Sequence, residues 1–131
     1  MGKEILPPLV PLYDYDSLIK KIEEAEEVSH REAERYATKF FTAVAYCNKD
    51  IRKAKKRTIF TEEFKVYALD EAVRGATGAN ITERKLKAEA NEEYRKAVRF
   101  HEEVVEEYNY YRRLYEVLDK GYTLFKMLSR E

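Results

Sequence analysis

Breakers are scarce in this chain. Its 131 residues include four glycines and three prolines, and Pro7, Pro8 and Pro11 all fall within the first eleven residues. Beyond them little interrupts a helix, and no stretch alternates apolar with polar residues as a half-buried strand does. Cysteine is scarcer still. The single Cys47 excludes an internal disulfide and any cysteine-cluster metal site. Lying in Ala43-Val44-Ala45-Tyr46-Cys47, it reads as a buried, inert thiol on a helix face. No apolar run approaches the roughly 20 residues that span a bilayer. The opening Met1-Gly2-Lys3-Glu4-Ile5-Leu6-Pro7-Pro8 has too short an apolar stretch for a secretory signal. A cytoplasmic protein without a membrane partner is expected. Net charge is missing too, because 25 Lys and Arg balance 25 Asp and Glu. General attraction to nucleic acid is therefore unavailable, and any such binding must come from segregated charge. Tryptophan and glutamine are absent, while Lys and Glu abound, a composition in keeping with a thermophilic source.

What is present is charge and helical periodicity. Charged residues make up 38% of the chain, against roughly 25% in ordinary domains. Long, thin helices, with much surface per residue, suit such an excess. The hydrophobic share of 44% still allows a core. From Asn91 to Glu131 one helix is expected. His101, Val104, Tyr108, Tyr111, Tyr115, Leu118, Tyr122 and Phe125 alternate spacings of three and four, which keeps one stripe facing a partner. Val105, Leu114, Leu124 and Leu128 widen it beyond a two-helix seam. Tyr108, Tyr111, Tyr115, Leu118, Tyr122 and Phe125 are the expected oligomer interface, in an assembly larger than a dimer.

Residues 1–13 are expected to be extended or disordered, since proline blocks a helix. Residues 14–131 read as one helical domain. Asp14 or Asp16 can cap a helical stretch over 16–74. Its buried side is marked by Ile22, Ala25, Ala33, Tyr36, Ala37, Phe40, Val44, Cys47, Ile51 and Ala54. A break is expected near Thr58 to Thr61, where β-branched residues cluster. Residues 75–80 form a turn, with Gly75 as a helix C-cap. Asn80 and Glu83 have capping-box spacing for a helix over 82–90, and a last helix covers 91–129. The expected fold is all-α, a long helical hairpin or coiled coil that assembles into a homo-oligomer.

Charge comes in blocks. Lys49-Asp50-Ile51-Arg52-Lys53-Ala54-Lys55-Lys56-Arg57 sets six basic residues against one acid, and Phe60, Phe64, Lys65 and Tyr67 follow. Phosphate neutralisation needs clustered cations, and single-stranded nucleic acid offers bases that stack on aromatic rings. The bland alternative is a solvated helix face, with Phe60 and Phe64 in the core. Arg95-Lys96-Ala97-Val98-Arg99-Phe100-His101 resembles the Arg-x-x-x-x-x-His pattern of small helical ribonucleases of the HEPN class, in which His does acid–base work and Arg binds phosphate. A packed seam histidine is the competing reading. Glu103 with Glu106 and Glu116 with Asp119 resemble the Mg²⁺-holding carboxylate pairs of helical nucleotide pyrophosphohydrolases. Here both pairs lie on one helix and cannot converge within a subunit. No Gly-rich phosphate loop and no nucleophile–base set at informative spacing is found. No catalytic residue, metal or cofactor is expected.

From the basic block onward the chain resembles small phage proteins of the UvsY type, the recombination mediators. The resemblance rests on Ile51-Arg52-Lys53-Ala54-Lys55-Lys56-Arg57, on Phe64-Lys65-Val66-Tyr67-Ala68-Leu69-Asp70 and on the Gly-containing turn 75–79. Ile81-Thr82-Glu83-Arg84-Lys85-Leu86, Asn91-Glu92-Glu93-Tyr94 and Leu118-Asp119-Lys120-Gly121-Tyr122-Thr123-Leu124-Phe125 complete it. It covers about two-thirds of the chain and leaves residues 1–48 unmatched. It implies rings of helical hairpins that bind single-stranded DNA, with a RecA-like recombinase and single-strand-binding protein as partners, in the host cytoplasm. By this resemblance Lys53, Lys55, Lys56, Arg57 and Lys65 would contact phosphates. The alternatives are a structural coiled-coil or virion scaffold protein without a nucleic-acid role, and a helical ribonuclease using Arg95 and His101.

Overall fold

The structure, a computed structural model, describes residues 6–130. It is all-α: α1 Tyr15–Glu23, a single 3₁₀ turn Ala25–Glu27, α2 His30–Gly75, α3 Ile81–Glu89 and α4 Glu92–Arg130. No strand occurs among the described residues. Residues 6–13 form neither helix nor strand. Residues 1–5 of the expected extended segment lie outside the described residues.

Local chemistry sets the helix ends. Asp14 caps α1, its Oδ1 accepting from the Ser17 amide at 3.3 Å and its Oδ2 from the Ser17 hydroxyl at 2.6 Å. These bonds hold the Asp14 carboxyl below its ordinary range. The stretch over 16–74, expected as one long helix or a helix pair, is divided, and the division falls at residues 24–29. Val28 is extended, and the Ser29 hydroxyl accepts from the Glu32 amide at 3.2 Å, which starts α2 afresh. The break anticipated near Thr58 to Thr61 does not occur. The Thr58 hydroxyl donates to the Lys55 carbonyl at 2.6 Å, and the Thr61 hydroxyl lies 3.0 Å from the Arg57 carbonyl. Both hydroxyls thus bond within the helix rather than competing with it. Gly75 is the last residue of α2, but no glycine among the described residues has a positive φ, so this end does not use a left-handed cap. Asn80 caps α3 by accepting from the Glu83 amide at 2.9 Å. Glu83 reaches back to the Ala79 amide at 3.1 Å, one residue beyond the usual capping-box donor, the amide of the cap itself. Asn91 then caps α4 through the Tyr94 amide at 3.1 Å.

The chain divides into two compact units. One combines residues 10–53 and 109–130 and holds α1, the first half of α2 and the second half of α4. Its core contains Tyr15, Leu18, Ala25, Ala33, Ala37, Phe40, Ala43, Cys47, Tyr111, Leu114, Leu118 and Phe125. Phe40 stacks on Phe125 at 5.4 Å, and the Cys47 thiol donates to the Tyr111 carbonyl at 3.5 Å, so the two long helices run antiparallel here. Burial pushes the Cys47 thiol up to about 11, in keeping with an inert group. Gly121 sits where a Cβ would meet the Phe40 ring at 2.5 Å. The other unit combines residues 6–9 and 54–108. Ala54, Ala88, Ala97, Phe100 and Val104 are buried, with Thr58 and Thr61 beside them. Arg57 pairs with Glu107 and Thr61 with His101, so the long helices are antiparallel in this unit too.

Candidate nucleic-acid interface

The basic block lies on α2, and Lys49, Arg52, Lys53, Lys55 and Lys56 are all exposed. Its one acid is not. Asp50 is fully buried, and its Oδ2 accepts from the Tyr15 hydroxyl at 2.6 Å and the Leu12 amide at 3.0 Å. Its Oδ1 has no hydrogen-bond partner. Burial, reinforced by the neighbouring Asp50 carboxylate, drives the Tyr15 hydroxyl well above the ordinary phenol range. With Asp50 withdrawn, this stretch of α2 shows solvent more positive charge than its composition suggests. Lys49, Arg52, Lys53, Lys55 and Lys56 have no carboxylate partner among the described residues. Lys55 Nζ instead stands 5.3 Å from the centroid of Tyr108.

The expected phosphate ligands Arg57 and Lys65 are already engaged. Arg57 Nε lies 2.8 Å from Glu107 Oε1, with only 12% of its side chain exposed, and its guanidinium also donates to the Pro7 carbonyl. Lys65 Nζ lies 3.0 Å from Glu62 Oε2 and is 27% exposed. Of the five expected cations, Lys53, Lys55 and Lys56 remain open to a ligand. The aromatics after the block are not core residues: Phe60 is 37% and Tyr67 61% exposed, Phe64 is half-buried, and Phe60 stacks on Phe64 at 6.4 Å.

Both His101 ring nitrogens are occupied. Nδ1 lies 2.7 Å from the Thr61 hydroxyl and Nε2 lies 2.9 Å from Glu62 Oε2. Lys65, and behind it His101, hold the Glu62 carboxyl below its ordinary range. An acid, a histidine and a hydroxyl in a row resemble a nucleophilic triad, but Thr61 is only 1% exposed and no reactant reaches it. Arg95 is exposed on α4 and makes no hydrogen bond or ion pair with His101. Among the described residues no cluster of His, Cys, Asp and Glu is placed to hold a metal.

The aromatic stripe of α4 divides. Tyr111, Leu118 and Phe125, expected at an oligomer interface, are buried within the chain's own fold. The reason is a layer that their spacing does not disclose. Residues 11–16 lie beside Tyr110 and Tyr111, and Tyr36 packs on Phe125 at 5.3 Å. Tyr108, Tyr115 and Tyr122 stay half-buried, with Tyr122 beside the exposed Phe41 at 5.7 Å. No helix among the described residues is long and apolar enough to cross a membrane. No protein-family model, curated protein or solved structure matches this chain.

Proposed function

We propose that this chain is a non-enzymatic, homo-oligomeric protein that binds single-stranded DNA through α2 and acts as a recombination mediator, helping a RecA-like recombinase displace single-strand-binding protein. The observation that carries the binding is the exposure of Lys49, Arg52 and Lys53 in one unit and of Lys55 and Lys56 in the other, none with a carboxylate partner among the described residues. Exposed Phe60 and Tyr67 add ring faces for bases to stack on. The mediator role rests on the resemblance of residues 51–125. Multivalent repetition around an oligomer would raise the affinity of a block that is modest in one copy. Each phosphate contact contributes roughly 0.7 to the salt slope on single strands. Lys55→Ala with Lys56→Ala should therefore weaken binding and flatten the slope by about 1.4, with the oligomer intact. Unchanged affinity and slope would make the block a solvated face. His101→Ala tests the ribonuclease reading: RNA cleavage lost in that variant would establish it.

The scaffold reading draws support from Ile59, Val66, Tyr67, Ile81 and Leu86. These are large apolar side chains, each at least 49% exposed in one unit, and association would cover them. It predicts a stable assembly with no affinity for DNA at low salt.

A further inference from the structure

We infer that a second element of the single-stranded DNA path runs along the unit holding α1, on a ladder of tyrosines and lysines: Tyr13, Tyr36 and Tyr46 with Lys21, Lys39 and Lys49. It rests on the DNA-binding reading above, and it adds base-stacking rings to those of Phe60 and Tyr67. The spacing comes first. Tyr36, Lys39, Tyr46, Lys49 and Lys53 are separated by three, seven, three and four residues along α2, which keeps them on one side of the helix. That side flanks the buried face instead of forming it: Lys39, Tyr46, Lys49 and Lys53 are exposed and Tyr36 is half-buried.

The segment before α1 completes the arrangement. Tyr13 stacks on Tyr46 at 5.9 Å with an angle of 25° between the rings. Lys49 Nζ stands 5.8 Å from the Tyr46 centroid. Lys21 and Lys39 converge on Tyr36 at 5.8 and 5.5 Å. Between them lies an open groove of about 300 Å³, lined by Tyr13, Ser17, Lys21, Tyr36 and Lys39. Asp14, the acid on this groove, is occupied as the α1 cap, and Glu24 draws on Lys21 at 3.5 Å.

Rings flanked by mobile ammonium groups are what a flexible polyanion with aromatic bases requires. Each lysine lies over a ring face. A base can take that face, and the released ammonium swings to the adjoining phosphate, so one displacement makes two contacts. Duplex DNA keeps its bases stacked inside and gains only the phosphate term. The ladder therefore selects single strands, and it does so with no base-specific donor.

The chain has no tryptophan, so Tyr46→Trp places a sole indole on the ladder. Titration with a thymine homopolymer at low salt should quench its emission, and duplex of the same length should quench it far less. Tyr46→Ala should weaken homopolymer binding about tenfold, while Tyr46→Phe, which keeps the ring, should bind like the parent. Circular dichroism monitors the fold of each variant. If the oligomer binds a labelled homopolymer while the indole stays unquenched and Tyr46→Ala binds at full affinity, the ladder is refuted and the α2 block stands. No binding by the parent at low salt overturns both.

Discussion

Gly121→Ala reverses the usual expectation for a glycine inside a helix. In an open helical position this substitution stabilises by about 1 kcal/mol, because alanine loses less backbone entropy on folding. Gly121 is not open. The added Cβ would lie 2.5, 2.8 and 2.9 Å from three atoms of the Phe40 ring. Phe40 is itself fully buried and stacked on Phe125 at 5.4 Å. A rigid ring wedged in this way cannot rotate aside, so relief must come from separating α2 and α4 in this unit. Overpacking of a close-packed core costs about 1–3 kcal/mol, and a contact this short belongs at the upper end. Subtracting the propensity gain leaves a net loss of about 2 kcal/mol. At about 4 °C per kcal/mol for a chain of this size, Tm should fall by about 8 °C in thermal unfolding followed by circular dichroism. Combining Gly121→Ala with Phe40→Leu should be milder than the sum of the two, by about 1 kcal/mol, because the smaller side chain admits the methyl. A Tm equal to or above that of the parent would show that the close approach at Gly121 is not a packing constraint.

Tyr15→Phe removes the phenol that Asp50 accepts from in the core, and should lower urea stability by about 2 kcal/mol, the usual worth of a hydrogen bond to a charged group. Alkaline pH should destabilise the fold from pH 9 upward, through the Cys47 thiol first and through the raised Tyr15 hydroxyl as well above pH 10. The Cys47 thiol is raised from 9.0 to about 11, so its contribution is complete below pH 9 and is lost between 9 and 11. Cys47→Ala should flatten that part of a stability–pH curve, and an unchanged slope would count against it. Light scattering should show a species larger than a dimer at micromolar concentration, and Tyr115→Glu should disrupt it by placing a charge on the half-buried stripe. A stable monomer for the parent would end the assembly argument.

Helix was readable wherever local periodicity decided the outcome. Ala25, Ala33, Ala37, Phe40, Cys47 and Ala54, picked out by spacing alone, are buried, while Ile22, Tyr36, Val44 and Ile51 beside them are half-buried. Asn80 and Glu83 announced a cap through their spacing, and they supply one. The interruption before α2 carried a signal as well. Ser29 and Glu32 have capping-box separation, but no glycine or proline marks the site and acidic residues surround it. Long-range pairings were beyond reach. Nothing near Asp50 in sequence says that Leu12 and Tyr15 will draw it inside, or that Glu107 will claim Arg57. Only partners brought together by folding decide which members of a basic block stay free. The same holds for the stripe on α4, whose width signalled extra cover but not that residues 11–16 provide part of it.

The lone thiol makes one half of this protein a clock. Cys47 is completely enclosed and its Sγ–H points at the Tyr111 carbonyl, so a reagent in solvent reaches it only when that unit opens. The unit built around Arg57, Thr61 and His101 has no sulfhydryl. Its breathing leaves no trace in such an assay, whereas amide exchange registers both. Comparing the two rates on the same sample would reveal whether the halves melt as one cooperative body or loosen in sequence.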